Sequence, residues 1–164
     1  MKYTDQINRW TGDRRKIGLD AIEDMDTDGV NILTICEDNE LLGIATVTAD
    51  GELLNLATKR SGYGIKMMEL IAQFALDRSI AIWGTSSDDA LGFYGRLGFE
   101  IEGYPGENNG VPIAWFKSQI ERFMSDDRAA MMAQAREEYQ EYLDYIEEAE
   151  AAMMAEGREE YQEY

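Results

Sequence analysis

What most constrains this chain is residues 53–99, where a short apolar strand runs through two glycines directly into an amphipathic helix. Leu53-Leu54-Asn55-Leu56 reads as the strand and Lys59-Arg60-Ser61-Gly62-Tyr63-Gly64 as the loop. Behind them Ile65, Met68, Ile71, Ala72 and Ala75 recur at helical spacing. A second strand is expected at Ile80-Ala81-Ile82-Trp83 and a short helix over 90–99. The first N–H groups of a helix have no partner inside it and share its positive end. A strand, glycine loop and helix in that order therefore aim several amides at one place, which favours an anion such as phosphate. Glycine at 62 and 64 lets the anion approach the backbone and permits positive φ. The other meaning of a Gly-x-Gly at a helix start is a tight turn with no ligand.

Further along, Ser86-Ser87-Asp88-Asp89 reads as an N-cap cluster: a hydroxyl satisfies a free N–H and carboxylates suit the positive helix end. Ala90, Phe93 and Leu97 then share one helical face. Tyr94 falls one residue off that face, so its hydroxyl could enter a cleft, or both aromatics could be core.

Together these residues carry a resemblance. The loop is similar to the Gln/Arg-x-x-Gly-x-Gly/Ala motif of GNAT-type N-acetyltransferases, with Lys59, Gly62 and Gly64 on its fixed places. Ser87, Ala90, Phe93, Tyr94, Gly98 and Phe99 match that family's Asn-x-x-Ala-x-x-Phe-Tyr-x-x-x-Gly-Phe, with Ser for Asn. The chain departs from the pattern at Lys59, at Ser61 where a basic residue is common, and at Lys66 where a third glycine is common. The resemblance spans residues 30–117 and implies an α+β fold, a mixed, mainly antiparallel sheet flanked by helices. It implies acetyl-CoA as cofactor, with the diphosphate on the loop amides and the pantetheine arm along the backbone near 55–58. The expected cofactor contacts are then Leu56, Thr58, Lys59, Arg60, Ser61, Gly62, Tyr63, Gly64, Ile65 and Ser87. It also implies direct attack of an acceptor amine on the thioester, with Tyr94 protonating the departing thiolate and amides near Leu56 polarising the carbonyl. Glu52, through water, would be the base.

Composition limits the remaining chemistry. The chain has 164 residues and no histidine, which removes a histidine triad, a histidine-ligated zinc and a histidine base, and no metal is expected. No apolar run approaches the ~20 residues that cross a bilayer, and the start of the chain lacks the apolar stretch of a signal peptide. The single Cys36, inside an apolar run, is expected to be a buried small side chain in a reducing, cytoplasmic setting. Net charge is −18, which repels nucleic acid and suits a basic partner or a cationic amine acceptor, small molecule or protein. It equally serves solubility.

Residues 2–28 look partly helical, with Ile7, Trp10, Ile17, Ala21, Ile22 and Met25 at steps of three or four, and no strand is evident before them. Strands are expected at 30–37, 41–49 and 52–57, the first two joined by a turn at Glu37-Asp38-Asn39-Glu40, and further strands at 100–103 and 111–117. By the resemblance, the loop between those last two overhangs the acceptor, which makes Tyr104 and Glu107 candidate contacts.

The chain divides into residues 1–124 and an acidic helical arm, 125–164, holding 13 acidic and 3 basic residues. In the arm Met132, Ala135, Tyr139, Tyr142, Ile146, Ala149 and Met153 step by 3 and 4, a stripe that needs a partner. Residues 129–142 recur at 151–164, changed only at Glu156 and Gly157, a 22-residue period that keeps copies on nearly one helix face. A helix of ~40 residues would be ~60 Å long. Part of it should project, and self-association or protein docking is expected there, with fold-back onto the sheet as the alternative. Beside the enzyme stands a non-catalytic module that works through the arm, similar to the GNAT-like proteins found in bacteriophage virions. An acidic mimic of nucleic acid is a third option.

Overall fold

The computed structural model describes residues 2–106 and 109–162, with side chains to residue 156. Glu107 and the side chains that end the second repeat copy lie outside the described residues.

Two helices open the chain, α1 (Tyr3–Ile7) and α2 (Gly12–Asp24), with no strand before them among the described residues. Ile7, Trp10 and Ala21 pack with Leu41, Ile44 and Ala57 into a small core on one face of the sheet. Strands β1 (Val30–Glu37), β2 (Glu40–Thr48) and β3 (Leu53–Thr58) follow as an antiparallel meander. Asp38 (φ 51) and Asn39 (φ 65) are both left-handed, the two-residue hairpin turn whose twist matches that of the strands it joins. Cys36 is exposed, contrary to the expectation from its apolar run. Cys36 and Glu37, the last two residues of β1, are both exposed, so the thiol lies where the strand runs out beyond the core; the register shift beside it, Ile35 to Gly43 but Cys36 to Leu41, makes Leu42 an extra residue on β2.

A second register shift decides the architecture. Thr46 pairs with Asn55 but Val47 with Leu53, so Leu54 is an extra residue on β3. Such a bulge bends the strand that carries it. Below it β3 touches its parallel neighbour through one bridge, Glu52 to Trp83, and the Trp83 N–H donates to the Gly51 carbonyl at 3.0 Å. Above it the strands diverge, and the described residues form two three-stranded sheets, β1-β2-β3 and a second in which Val111–Trp115 lies between Ile82–Ser86 and Glu100–Ile101.

The glycine loop leads into α3 (Gly64–Arg78), whose Met67, Met68, Ile71, Ala72, Phe74 and Ala75 are buried. Strand β4 occupies Ile82–Ser86 rather than 80–83. Ser79 adopts φ 54 to end α3, and the Ile80 N–H bonds back to the Ala75 carbonyl, so the next two residues turn the chain. Gly84, Thr85 and Ser86, unremarkable as strand formers, are drawn into the sheet by pairing with Ile113, Pro112 and Val111. A 3₁₀ turn (Asp88–Ala90) and α4 (Leu91–Gly95) replace the single expected helix. Strands β5 (Glu100–Ile101) and β6 (Val111–Trp115) are both shorter than expected, the second because Lys117 already begins α5 (Lys117–Phe123). Trp115 is fully buried and donates its indole N–H to the Leu97 carbonyl at 3.0 Å.

Helix α6 (Arg128–Gln162) lies against the domain over its first half and leaves it over the second. Met131 and Ala135 are buried, and Met132, Tyr139 and Tyr142 pack on the main core. The apolar stripe is thus partly satisfied within the chain, as in the fold-back alternative, and Met131 rather than Met132 is its innermost residue. Met153 and Met154 remain 71% and 70% exposed. No described helix is long and apolar enough to cross a membrane.

Candidate functional site

The divergence of β3 from β4 leaves a cavity of about 360 Å³ beside the glycine loop. Its floor is the end of β3, through Leu56, Ala57 and Thr58. The Lys59 N–H bonds to the Leu42 carbonyl, so by the alternation of an antiparallel ladder the N–H and C=O groups of Leu56 and Thr58 face away from β2, toward the gap. Among the described residues no strand pairs with them there, and the Thr58 carbonyl accepts from Arg14.

Ser61, Gly62, Gly64 and Ile65 form the wall above. No side chain caps the N-terminus of α3, where Tyr63 is the flanking residue. The two glycines have different reasons to be glycine. Gly62 has φ 101, where a side chain is strained, and a Cβ there would meet open space. Gly64 has ordinary dihedrals, but its Cβ would lie 3.1 Å from the Phe93 ring. Glycine at 64 therefore serves the approach of α4 rather than a positive φ.

The third wall is Ala90, Phe93 and Tyr94. Tyr94 contacts Phe93 edge-on at 5.4 Å and Phe99 at 5.1 Å, the start of an aromatic chain that continues through Trp115 to Phe123. Burial pushes the Tyr94 phenol up to about 12. It is therefore protonated throughout the physiological range.

Leu56, Thr58, Ser61, Gly62, Gly64, Ile65 and Tyr94 are brought together here; Glu52, Lys59, Arg60, Tyr63 and Ser87 do not line the cavity. The Lys59 ammonium is paired with the Glu40 carboxylate. Arg60 donates to the Tyr63 hydroxyl at 3.1 Å and lies over that ring. Ser87 acts as the expected cap, accepting the Ala90 N–H at 3.3 Å. Glu52 stands at the closed end of the gap, its N–H on the Thr48 hydroxyl.

Of the lining residues that sequence did not assign to the site, Arg14, Ala57, Ala90 and Phe93, one is charged. Arg14, on α2, donates to the Thr58 carbonyl at 3.2 Å, the Thr58 hydroxyl at 2.7 Å and the Ser61 hydroxyl at 3.2 Å. It is the charged side chain of the lining and supplies the cation that Lys59 does not. The available hint was Arg14-Arg15-Lys16, a basic run in an acidic chain, but nothing tied it to a loop 44 residues away.

No family model matches the chain, and no curated protein matches it by sequence. Solved structures do. An aminoglycoside 6'-acetyltransferase of type Ii superimposes with a TM-score of 0.54 at 19% identity, covering 70% of this chain and 89% of the other. A mutant of the toxin AtaT, bound to the C-terminus of the antitoxin AtaR, gives 0.53 at 17% identity, covering 73% and 89%. This is the GNAT fold. At such identities the likeness speaks for the GNAT architecture alone: the meander, the parted strands and the helix that starts at the glycine loop.

Proposed function

We propose that the chain is an N-acetyltransferase that moves an acetyl group from acetyl-CoA to an amine. The observation that carries this is the convergence, on one cavity, of the uncapped α3 N-terminus, the free edge of β3 and a protonated tyrosine. The residues fit the cofactor: open space at Gly62 and the Arg14 guanidinium suit a diphosphate, and the outward amides of Leu56 and Thr58 suit an amide-bearing arm laid along the strand.

Acetyl-CoA, when bound, supplies the activated acetyl thioester. The chain's own groups then do three things. The loop amides, with Arg14, would hold the phosphates; the Leu56 N–H faces the gap where a carbonyl oxygen would gain charge; and Tyr94 Oη would supply the proton to the leaving sulfur as its bond to the acetyl carbon breaks, and regain one from water. The acceptor nitrogen forms the new bond to that carbon and gives up its own proton to water. Glu52 lies four residues from Leu56, ~13 Å along an extended strand, so it acts as a base only through a file of water. The acidic character of the protein favours a cationic acceptor.

Calorimetric titration with acetyl-CoA is the test. Micromolar binding is expected, and no heat at millimolar ligand overturns the enzyme. That outcome would leave a non-catalytic GNAT-fold interaction protein, for which the exposed Met153 and Met154 on the projecting end of α6 are the supporting observation. Its partner would be another protein or a second copy, and light scattering of the full chain reads the second.

A further inference from the structure

Helix α4 is a poor helix by itself. It has five residues, Leu91-Gly92-Phe93-Tyr94-Gly95, and two of them are glycine. Glycine costs ~1 kcal/mol relative to alanine inside a helix, and a segment this short does not hold its shape in isolation. Something outside must hold it, because Phe93 and Tyr94 form one wall of the cavity.

The glycines show what holds it. A Cβ on Gly95 would lie 2.5 Å from Tyr139 Cδ2, and one on Gly92 would lie 3.4 Å from the Tyr139 hydroxyl. Tyr139, from α6, is seated in the notch that the two missing side chains leave. On the far side of α4, Phe93 presses on Gly64 of the loop at a built-Cβ distance of 3.1 Å. Contact therefore runs without a break from α6 through α4 to the glycine loop. The seat itself is braced. Arg128 donates to Glu69 of α3 at 2.9 Å, Met131 is buried with its sulfur 3.2 Å from a Cβ built on Gly98, and the Tyr142 hydroxyl donates to the Gly103 carbonyl at 2.8 Å.

We propose that the first half of α6 belongs to the acetyltransferase site, and that Tyr139, wedged against Gly92 and Gly95, is a positioning residue that sets α4 and so aims Tyr94 into the cavity. This rests on the acetyltransferase reading given above. Tyr139 touches no reacting atom; it acts through α4. Removing its ring frees α4 to shift, and a displacement of about 1 Å at a catalytic group costs on the order of 100-fold in rate. The glycine loop and Arg14 are not displaced directly, so cofactor affinity should change far less than turnover.

The experiment compares wild type, Tyr139→Ala, Tyr139→Phe and, as a control on the projecting end, Met153→Ser/Met154→Ser. Each is assayed for thiol release from acetyl-CoA in the presence of a set of small cationic amines, for acetyl-CoA affinity and for hydrogen exchange. In Tyr139→Ala, kcat should fall at least 10-fold with affinity within about 3-fold, Tyr139→Phe should restore most of the rate, and the control should match wild type. Exchange of the amides of Arg96, Leu97 and Phe99, which bond back to Gly92 and Tyr94, should quicken while those of β2 do not. Unchanged kcat, or exchange that quickens everywhere alike, overturns the proposal. Should wild type bind no acetyl-CoA, the enzymatic reading fails, and the exchange comparison alone then decides whether Tyr139 holds α4: local quickening supports it and unchanged exchange overturns it.

Discussion

Gly62 and Gly64 stand two residues apart in one motif, yet the structure gives alanine a different penalty at each. At Gly62 the cost is conformational. The backbone sits at φ 101 and nothing approaches the built Cβ within 4 Å. Left-handed backbone costs a side-chain-bearing residue ~1–2 kcal/mol wherever it is, so Gly62→Ala should destabilise by that amount in any background. In a chain of this length that lowers Tm by ~2–8 °C. At Gly64 the cost is steric and belongs to a pair. The dihedrals are helical, so alanine brings some helix propensity, but its Cβ would meet Phe93 Cε2 at 3.1 Å and Cζ at 3.2 Å. Overpacking of this kind costs ~1 kcal/mol or more. Phe93→Leu lacks both offending atoms, so Gly64→Ala should be destabilising in wild type and neutral or stabilising in the Phe93→Leu background. The coupling energy should then be about 1 kcal/mol, above the ~0.3–0.5 kcal/mol scatter of independent sites. Urea unfolding of the six single and double variants, including wild type, measures it. Additive costs for Gly64→Ala and Phe93→Leu would show that α4 does not press on the loop in solution, and the continuous contact from α6 to the glycine loop would fail with it.

Arg14→Ala should weaken acetyl-CoA binding ~10-fold or more in calorimetry, since it removes three hydrogen bonds and the cavity's charge, whereas Lys59→Ala should change it little because that ammonium is held by the half-exposed Glu40. Equal losses would contradict the assignment of the cation. Tyr94→Phe should lower kcat by ~10²-fold or more without loss of fold. The folded-state pKa of Tyr94 is raised, so its contribution to stability is complete below pH 10 and is lost as pH rises through about 12. Alkaline melting curves should therefore fall less steeply for Tyr94→Phe than for wild type, and identical curves would place the phenol in water. Cys36 is exposed at the end of β1, so the folded protein should react with a thiol reagent without unfolding; protection until unfolding would contradict that exposure.

Local signals in the chain were enough for much of this. The hairpin at Asp38-Asn39, the meander, the glycine loop and helix α3 follow from turn residues and apolar spacing, which act over a few neighbouring residues. So did the grouping of Leu56, Thr58, Ser61, Gly62, Gly64, Ile65 and Tyr94, which lie on two motifs whose geometry is set by strand–loop–helix order. Cys36 and the start of β4 were misplaced because where a strand runs out past the core and where a helix-ending turn releases the chain depend on tertiary packing, which apolar spacing does not record.

What only the tertiary structure decided are the contacts between distant segments. Arg14 replaces Lys59 at the cavity because α2 lies across the end of β3 while Glu40, the neighbour of Lys59, captures its charge. The gap itself depends on one extra residue, Leu54, whose effect exists only once β2 has fixed the register on either side. The apolar stripe of α6 announced that it needed a partner but not which one. Gly92 and Gly95 look in sequence like helix breakers, and they become a seat for Tyr139 only when the chain folds back over them. Residue spacing fixes which face of an element is apolar; whether that face meets its own chain depends on shape, and shape is set by packing.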